Sequence, residues 1–291
     1  VFTNLTRDHL DYHHTFEDYL SAKKKLFDDL PAGAKAFYNL DDPAGTRVVA
    51  DTAAQIISYG QSEAADLRLE VMADTLHGLR LCLNGHERLF RLVGCFNAYN
   101  LAAAYGVGRG LGYARDAVLS ALAGAPPVPG RFEQIPFADG TTVIVDYAHT
   151  PDALENVLQA IRRTKPENAS IWCIFGCGGD RDPSKRVIMG AIAERNADHV
   201  IVTADNTRTE PLEHIMRHIR SGMQHPQEAR WIDNRREAIE AAARHAAVGD
   251  VVLVAGKGHE TYQIIGEERF HFDDREEVKK HFEARGLLST N

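Results

Sequence analysis

Cysteine is scarce in this chain. There are four, Cys82, Cys95, Cys173 and Cys177, and no two of them form a C-x-x-C pair. That excludes a disulfide-framed secreted fold and a thioredoxin-like redox motif, and it predicts free thiols in a reducing cytoplasm. Cys173 and Cys177 lie in "IWCIFGC", an apolar strand running into a loop, which is a poor setting for zinc. No uncharged apolar run reaches membrane-spanning length and no signal-peptide pattern is present, so no membrane insertion is expected. An excess of positive charge is also missing. The formal net charge of −8 argues against a general nucleic-acid binder. The dinucleotide fingerprint G-x-G-x-x-G is not met either, because "GCGGDR" puts Arg181 where the last glycine belongs. Internal repeats and low-complexity tracts are lacking as well.

What is present fits a soluble globular protein. The chain has 291 residues, 44% hydrophobic and 25% charged, enough for two ordinary domains. Short segments such as "QIISYG", "DLRLEVMA", "LRLCLNG" and "ERLFRLVG" predict a small antiparallel sheet or meander. "FNAYNLAAAYGVGRGL" and "ARDAVLSALAGA" predict two helices. Pro126, Pro127 and Pro129 then break any helix and stiffen the connection. The domain boundary is placed there, giving units of residues 1–127 and 128–291.

Past the boundary the pattern changes. "FEQIPF" and "TTVIVDY" flank Asp139-Gly140, a hairpin signal. Strand-like "SIWCIFGC", "HVIVTAD", "ARWID" and "DVVLVAG" then alternate with helical stretches. This is βαβ alternation, so the fold class is α/β, with a Rossmann-like doubly wound sheet as the second domain. Ligands in such sheets bind where loops leave the carboxyl ends of strands.

Four loops occupy those places: "DYAHTPD", "GCGGDRDPSKR", "DNTRTEP" and "GKGHETYQ". The first has Asp146 at a strand end and His149 entering a helix, whose start favours anions such as phosphate. A packed or capping histidine is the other reading of His149. In the second, three glycines permit close backbone approach to a ligand. In the third, Asn206 offers a donor and an acceptor and Arg208 a planar fork, although an Asx turn with a solvated arginine has the same sequence. In the last, Glu260 offers a carboxylate to an ammonium group. A pair of arginines, an asparagine and a glutamate on one sheet edge suit a zwitterionic amino acid with an extra carboxylate.

The stretch "HTFEDYLSAKKKLF" predicts a helix capped by Thr15 with Asp18 three residues on. Phe16, Tyr19, Leu20, Leu26 and Phe27 are expected to form its buried face, with Lys23 in the gap of that stripe and Lys24 and Lys25 reaching water. An inward lysine either snorkels or has altered chemistry.

Taken together, "TNLTRDHLDYHHTFEDYLSAKKKLF", "GCFNAYNLAAA", "PGRFE", "DYAHTPDALE", "FGCGGDRDPSKR", "DNTRTEP" and "GKGHETYQ" resemble the Mur ligase family, in order and over essentially the whole chain. The resemblance implies a partial central ATPase domain followed by a complete carboxyl-terminal domain. It implies ATP-driven amide bond formation through an acyl phosphate, with ATP and Mg2+ as cofactors. The members most similar in these motifs add meso-diaminopimelate to the D-glutamate carboxylate of UDP-MurNAc-L-Ala-D-Glu in cell-wall synthesis. Small-molecule substrates, a cytoplasmic setting and a monomer are therefore expected. By the same resemblance Lys23 is carbamylated and, with His9, binds magnesium. Asn100, Arg131 and Asp146 meet the nucleotide. Arg181, Asp205, Asn206, Thr207, Arg208, Gly256 and Glu260 read diaminopimelate. His149 joins carbamylated Lys23 as a catalytic candidate.

Two departures stand out. Thr207 replaces the proline usual in the family's Asp-Asn-Pro-Arg motif. The family's G-x-x-x-x-G-K-[ST] phosphate loop does not occur, and Val1 opens a strand-like segment, so a truncated chain is expected. The alternatives are a lysine-adding or folylpolyglutamate-type sibling, and a non-catalytic binding module.

Overall fold

The structure, a computed structural model, describes residues 1–6, 13 and 15–288, with the side chains of 286–288 left out. The chain divides into two compact units, Val1–Pro126 and Pro127–Asn291.

The first unit is built on a five-stranded sheet of β1 (Lys35–Asn39), β2 (Gln55–Gly60), β3 (Leu67–Thr75), β4 (Gly78–Leu83) and β5 (His86–Phe90), in that order. The antiparallel meander holds for β3, β4 and β5 only. β2 and β3 are parallel, which corrects the antiparallel expectation for that pair, and β1 joins the sheet parallel to β2. The physical reason lies in the connections. β2 and β3 share only the pairs Tyr59–Leu67 and Gly60–Arg68, so a short loop can join them without a helix. Asp66 pins that loop by accepting from the Ser58 amide at 2.8 Å and the Ser58 hydroxyl at 2.7 Å.

One sheet face packs Tyr59, Leu69, Leu81 and Phe90 against Ala98, Leu101 and Tyr105 of α3 (Cys95–Gly110). A second cluster gathers Phe2, Ala36, Val48 from α2 (Gly45–Val48), and Leu20 and Phe27 from α1 (Phe16–Asp28). The predicted cap is present: Thr15 Oγ1 accepts from the Asp18 amide at 3.1 Å. The predicted buried face is narrower than expected, since Phe16 is 46% and Leu26 65% exposed. Leu20 and Phe27 lie seven residues apart on nearly one line, whereas neighbours in sequence are turned by about 100°. Lys23 is half-buried, with Nζ 4.7 Å from the Tyr19 ring centroid. Lys24 is half-buried too, and it is ion-paired to Asp28 at 2.5 Å and Asp51 at 2.7 Å rather than simply solvated. Only Lys25 of the three is exposed. The unit closes with α4 (Arg115–Gly124).

The second unit has a six-stranded sheet, ordered β10 (Arg230–Trp231), β9 (His199–Val202), β8 (Ile171–Phe175), β11 (Val251–Ala255), β7 (Thr142–Asp146) and β6 (Glu133–Pro136). All neighbours are parallel except β6 and β7, which form the hairpin over Asp139-Gly140. Gly140 sits at φ +86°, the conformation that makes glycine apt in such a turn. The helices α5 (Pro151–Thr164), α6 (Ser184–Asn196), α7 (Leu212–Arg220) and α8 (Arg235–His245) connect the parallel strands. β8 and β11 are buried at every residue, as a strand covered on both faces requires. Val145, Ile174, Ile201 and Val254 pack with Ala238, Ile239, Val278 and Phe282 to form the core.

β11 inserts between β8 and β7, so the strand order reverses there. Such a switch point opens a crevice at the carboxyl ends. Ala255 pairs with Asp146, which brings the loops after β11 and β7 side by side. Two elements follow that the sequence reading did not anticipate. One is the antiparallel hairpin of β12 (Tyr262–Ile265) and β13 (Glu268–His271), and the other is α9 (Asp274–Leu288).

Candidate functional site

The site is assembled at the carboxyl ends of β7, β8, β9 and β11, within the second unit. Asp146 ends β7 and is buried. Its carboxylate accepts from the Phe132 amide at 2.6 Å and the Ala148 amide at 2.7 Å. Burial pushes its pKa up to about 6, opposed by those two amides and by Arg131. Gly130 is at φ +66°, and a Cβ there would collide with the main chain of Gly258 and His259. The loop carrying Arg131 is thereby seated on the loop after β11. Arg131 lays its guanidinium over Tyr147, 4.5 Å from the ring centroid. Tyr147 also packs against His149 at 4.6 Å and His259 at 5.5 Å.

His149 Nδ1 lies 2.9 Å from the Tyr147 carbonyl oxygen. A carbonyl only accepts, so Nδ1 carries the proton and Nε2 is the acceptor of the neutral ring. Lys185, in the first turn of α6, donates to the His149 carbonyl at 3.0 Å and ties this loop to the one after β8.

Asp146 gives a direct titration test. A carboxyl whose folded pKa is raised favours folding fully below its ordinary value of 3.8, and that contribution is lost as pH rises through about 6. Carbon-13 NMR of the Asp146 carboxyl is expected to show a midpoint near 6, with part of the chain's stability lost between about pH 4 and about pH 6. A midpoint near 4 would refute this account.

The loops after β8, β9 and β11 interlock around a second group. Asp205, Asn206 and Thr207 are all buried. Asn206 Nδ2 donates to Glu260 Oε2 at 3.0 Å, and its Oδ1 accepts from the Ile264 amide at 2.9 Å. Gly256 is at φ +115°, where a Cβ would stand 2.7 Å from Asp205 Oδ2. Arg208 is at φ +53°, a rare conformation for a residue with a side chain. It is held there because its amide donates to the Ile264 carbonyl at 3.2 Å and its carbonyl accepts from the Gly266 amide at 2.7 Å. Its Nη1 donates to the Gly179 carbonyl at 2.8 Å and the Asn206 carbonyl at 3.3 Å. Among the described residues its Nη2 and Nε carry no hydrogen bond, so half of the fork of this half-buried side chain is left for another partner. Thr207, where the proline was expected, accepts through its carbonyl from the Glu210 amide at 3.2 Å, which helps fix the loop. Arg181 is exposed at the edge of the glycine turn.

Arg186 supports this turn from beneath and was not anticipated. It is 0% exposed and grips Glu210 with two bonds, Nη1–Oε1 at 2.6 Å and Nη2–Oε2 at 2.7 Å, while Nη2 also donates to the Gly178 carbonyl at 3.1 Å. The Arg186 guanidinium holds the Glu210 carboxyl down at about 2. Lys257, within the loop after β11, and Arg235, whose side chain reaches the Ala255 carbonyl at the start of that loop, are both buried and were not named as candidates. The sequence singles out the "GKGHETYQ" loop but gives Lys257 no role in it, and nothing local marks the burial of either cation.

The first unit holds the remaining candidates. Asn100 is exposed on α3 and donates to Asn97 Oδ1 at 3.1 Å. His9 lies outside the described residues. Among the described residues no group of three or more His, Cys, Asp or Glu side chains is gathered to hold a metal ion. Lys23 as an ammonium would repel one.

Residues 130–258 match the Mur ligase glutamate ligase domain, and residues 1–108 match the Mur ligase middle domain. The chain belongs to the Mur ligase family. Among curated relatives, the UDP-N-acetylmuramoyl-L-alanyl-D-glutamate--2,6-diaminopimelate ligase of Parabacteroides distasonis is 45% identical over 98% of this chain and 59% of its own length. The enzyme of the same name from Thermosynechococcus vestitus is 47% identical over 98% of this chain and 58% of its own. This Mur ligase chain thus spans about 59% of the length of the curated relatives it matches. A solved diaminopimelate ligase structure aligns with a TM-score of 0.60 at 36% identity, covering 98% of this chain and 60% of that one. The MurF ligase of Thermotoga maritima, solved in complex with ADP, shares the fold with a TM-score of 0.73 at 19% identity, covering 99% of this chain and 63% of that one. Among the described residues of this family member, no helix is long and apolar enough to cross a membrane.

Proposed function

We propose that this chain is the nucleotide-contacting and amino-acid-recognising part of an ATP-dependent ligase that adds meso-diaminopimelate to UDP-MurNAc-L-Ala-D-Glu. The observation that carries the reading is the arrangement of Asn206, Glu260 and Arg208: a carboxylate oriented by an amide, beside a half-engaged guanidinium. Diaminopimelate presents an ammonium and a carboxylate at each end. Glu260, oriented by Asn206, suits one of its ammonium groups, and the open side of Arg208, with Arg181, suits a carboxylate. Asp205, Thr207 and Gly256 hold that pocket in shape.

In the proposed reaction the D-glutamate side-chain carboxylate attacks the terminal phosphorus of ATP, and ADP departs. The amine of diaminopimelate then attacks the acyl phosphate. The C–N bond forms, the C–O bond to phosphate breaks, and the amine gives up a proton. Arg131, seated on Tyr147 and steadied by the Asp146 loop, and Asn100 take the nucleotide. His149, with Nε2 as its acceptor, is the candidate to receive a proton. Magnesium, held by His9 and by Lys23 once carbamylated, would screen the phosphate charges.

The test is phosphate release by the full product of the gene, with the UDP-linked dipeptide, ATP and either diaminopimelate or lysine. Turnover with diaminopimelate and little with lysine is expected. Turnover with lysine alone would defeat the substrate assignment and favour the sibling ligase.

A further inference from the structure

Lys257 is a charge inside the pocket to which the reaction above gives no part. It is 0% exposed. Its Nζ donates to Glu260 Oε2 at 3.1 Å and to Asn206 Oδ1 at 3.2 Å, and lies 3.8 Å from Asp205 Oδ1. With the bond from Asn206 to Glu260, these contacts close a triangle. The triangle fixes the amide unambiguously. An ammonium has no acceptor, so the Asn206 oxygen must face Lys257 and its nitrogen must face Glu260. Both bonds to Glu260 end on Oε2. Among the described residues Oε1 carries none, and the Glu260 side chain remains 15% exposed.

Asp205 and Glu260 are the two carboxylates beside Lys257. Arg235 lies nearby but is engaged by Asp274 through two bonds. Tyr262 and Tyr147 supply ring faces and hydroxyls, with Lys257 Nζ 5.5 Å from the Tyr262 centroid. Among the groups in contact with the Lys257 Nζ, one ammonium stands against two carboxylates, so this cluster by itself carries an excess of one negative charge.

We propose that Lys257 is a positioning residue for amino-acid recognition: it locks Glu260 by Oε2, turns Oε1 outward, and leaves charge for one incoming ammonium group only. The proposal rests on the amino-acid-binding reading of this site and specifies which atom of Glu260 the ligand meets.

The test uses the full gene product labelled with 15N-asparagine, as parent, Lys257→Met and Lys257→Gln. Glutamine keeps a donor where methionine removes it, so one variant serves if the other folds poorly. The side-chain amide resonances of Asn206 read the lock without any ligand and are expected to move in both variants. Calorimetry then compares diaminopimelate with 2-aminopimelate, which lacks the second amino group. The parent is expected to favour diaminopimelate, and both variants to lose that preference by about tenfold or more. Unmoved resonances, or an unchanged preference, overturn the proposal. A parent protein that binds neither amino acid overturns the recognition reading itself, and the ligand-free resonances keep that result distinct from failure of the lock.

Discussion

Arg235→Met is expected to remove about 3–5 kcal/mol from the unfolding free energy of the second unit. Arg235 and Asp274 are both 0% exposed, and the pair is bidentate, Nε–Oδ1 at 2.7 Å and Nη2–Oδ2 at 2.8 Å. Removing the arginine leaves a fully buried carboxylate without its bidentate partner, and desolvation there outweighs anything the methionine side chain gains by packing. The double variant Arg235→Met, Asp274→Leu removes both charges and is expected to recover most of the loss. Trp172 and Trp231 are the only tryptophans and both lie in the second unit, so urea unfolding followed by their fluorescence reports on that unit. A single-variant loss below about 1 kcal/mol, the scale of a surface pair, would refute the burial argument. The effect should also reach the site. Arg235 Nη2 donates to the Ala255 carbonyl at 2.9 Å, one residue before Gly256, so the same arginine anchors the start of the loop that carries Lys257 and Glu260.

Some of this architecture is legible in the sequence, and the reasons are local. Asp139-Gly140 marks its hairpin because few other residues tolerate the turn. β11 shows itself as an unbroken apolar run, because a parallel strand is covered on both faces. Thr15 and Asp18 mark a helix start because the cap bond spans three residues. What escapes is set by distant residues. Phe16 and Leu26 have the right period, yet among the described residues no neighbouring element covers them. The strands β2 and β3 look like the antiparallel ones, since direction is decided by connections rather than by alternation. The partners of the buried cations are remote: Glu210 is 24 residues from Arg186, and Asp274 is 39 from Arg235. The site divides in the same way. The four loops can be named from the order of strands, whereas the bond between Asn206 and Glu260 spans 54 residues and becomes visible only in the fold.

Arg208→Ala is expected to lower kcat/KM for diaminopimelate by about 100–1,000-fold in the full gene product, with a much smaller change for lysine. Arg208 is at φ +53°, and alanine meets the same strain there, so the substitution tests the side chain rather than the turn. The side chain has two duties. Nη1 holds the Gly179 and Asn206 carbonyls, and the remaining edge of the fork is left for a carboxylate. Arg208→Lys separates them. A lysine keeps a point charge but cannot hold a carbonyl and a carboxylate in one plane, so activity between that of the parent and that of the alanine variant is expected. If orientation of the glycine turn were the only role, diaminopimelate and lysine would suffer alike. If the fork reads the second carboxylate, the loss falls mainly on diaminopimelate, because lysine has no carboxylate there to lose. Equal losses for both amino acids would therefore confine Arg208 to holding the loop and return the choice of substrate to Arg181 and Glu260.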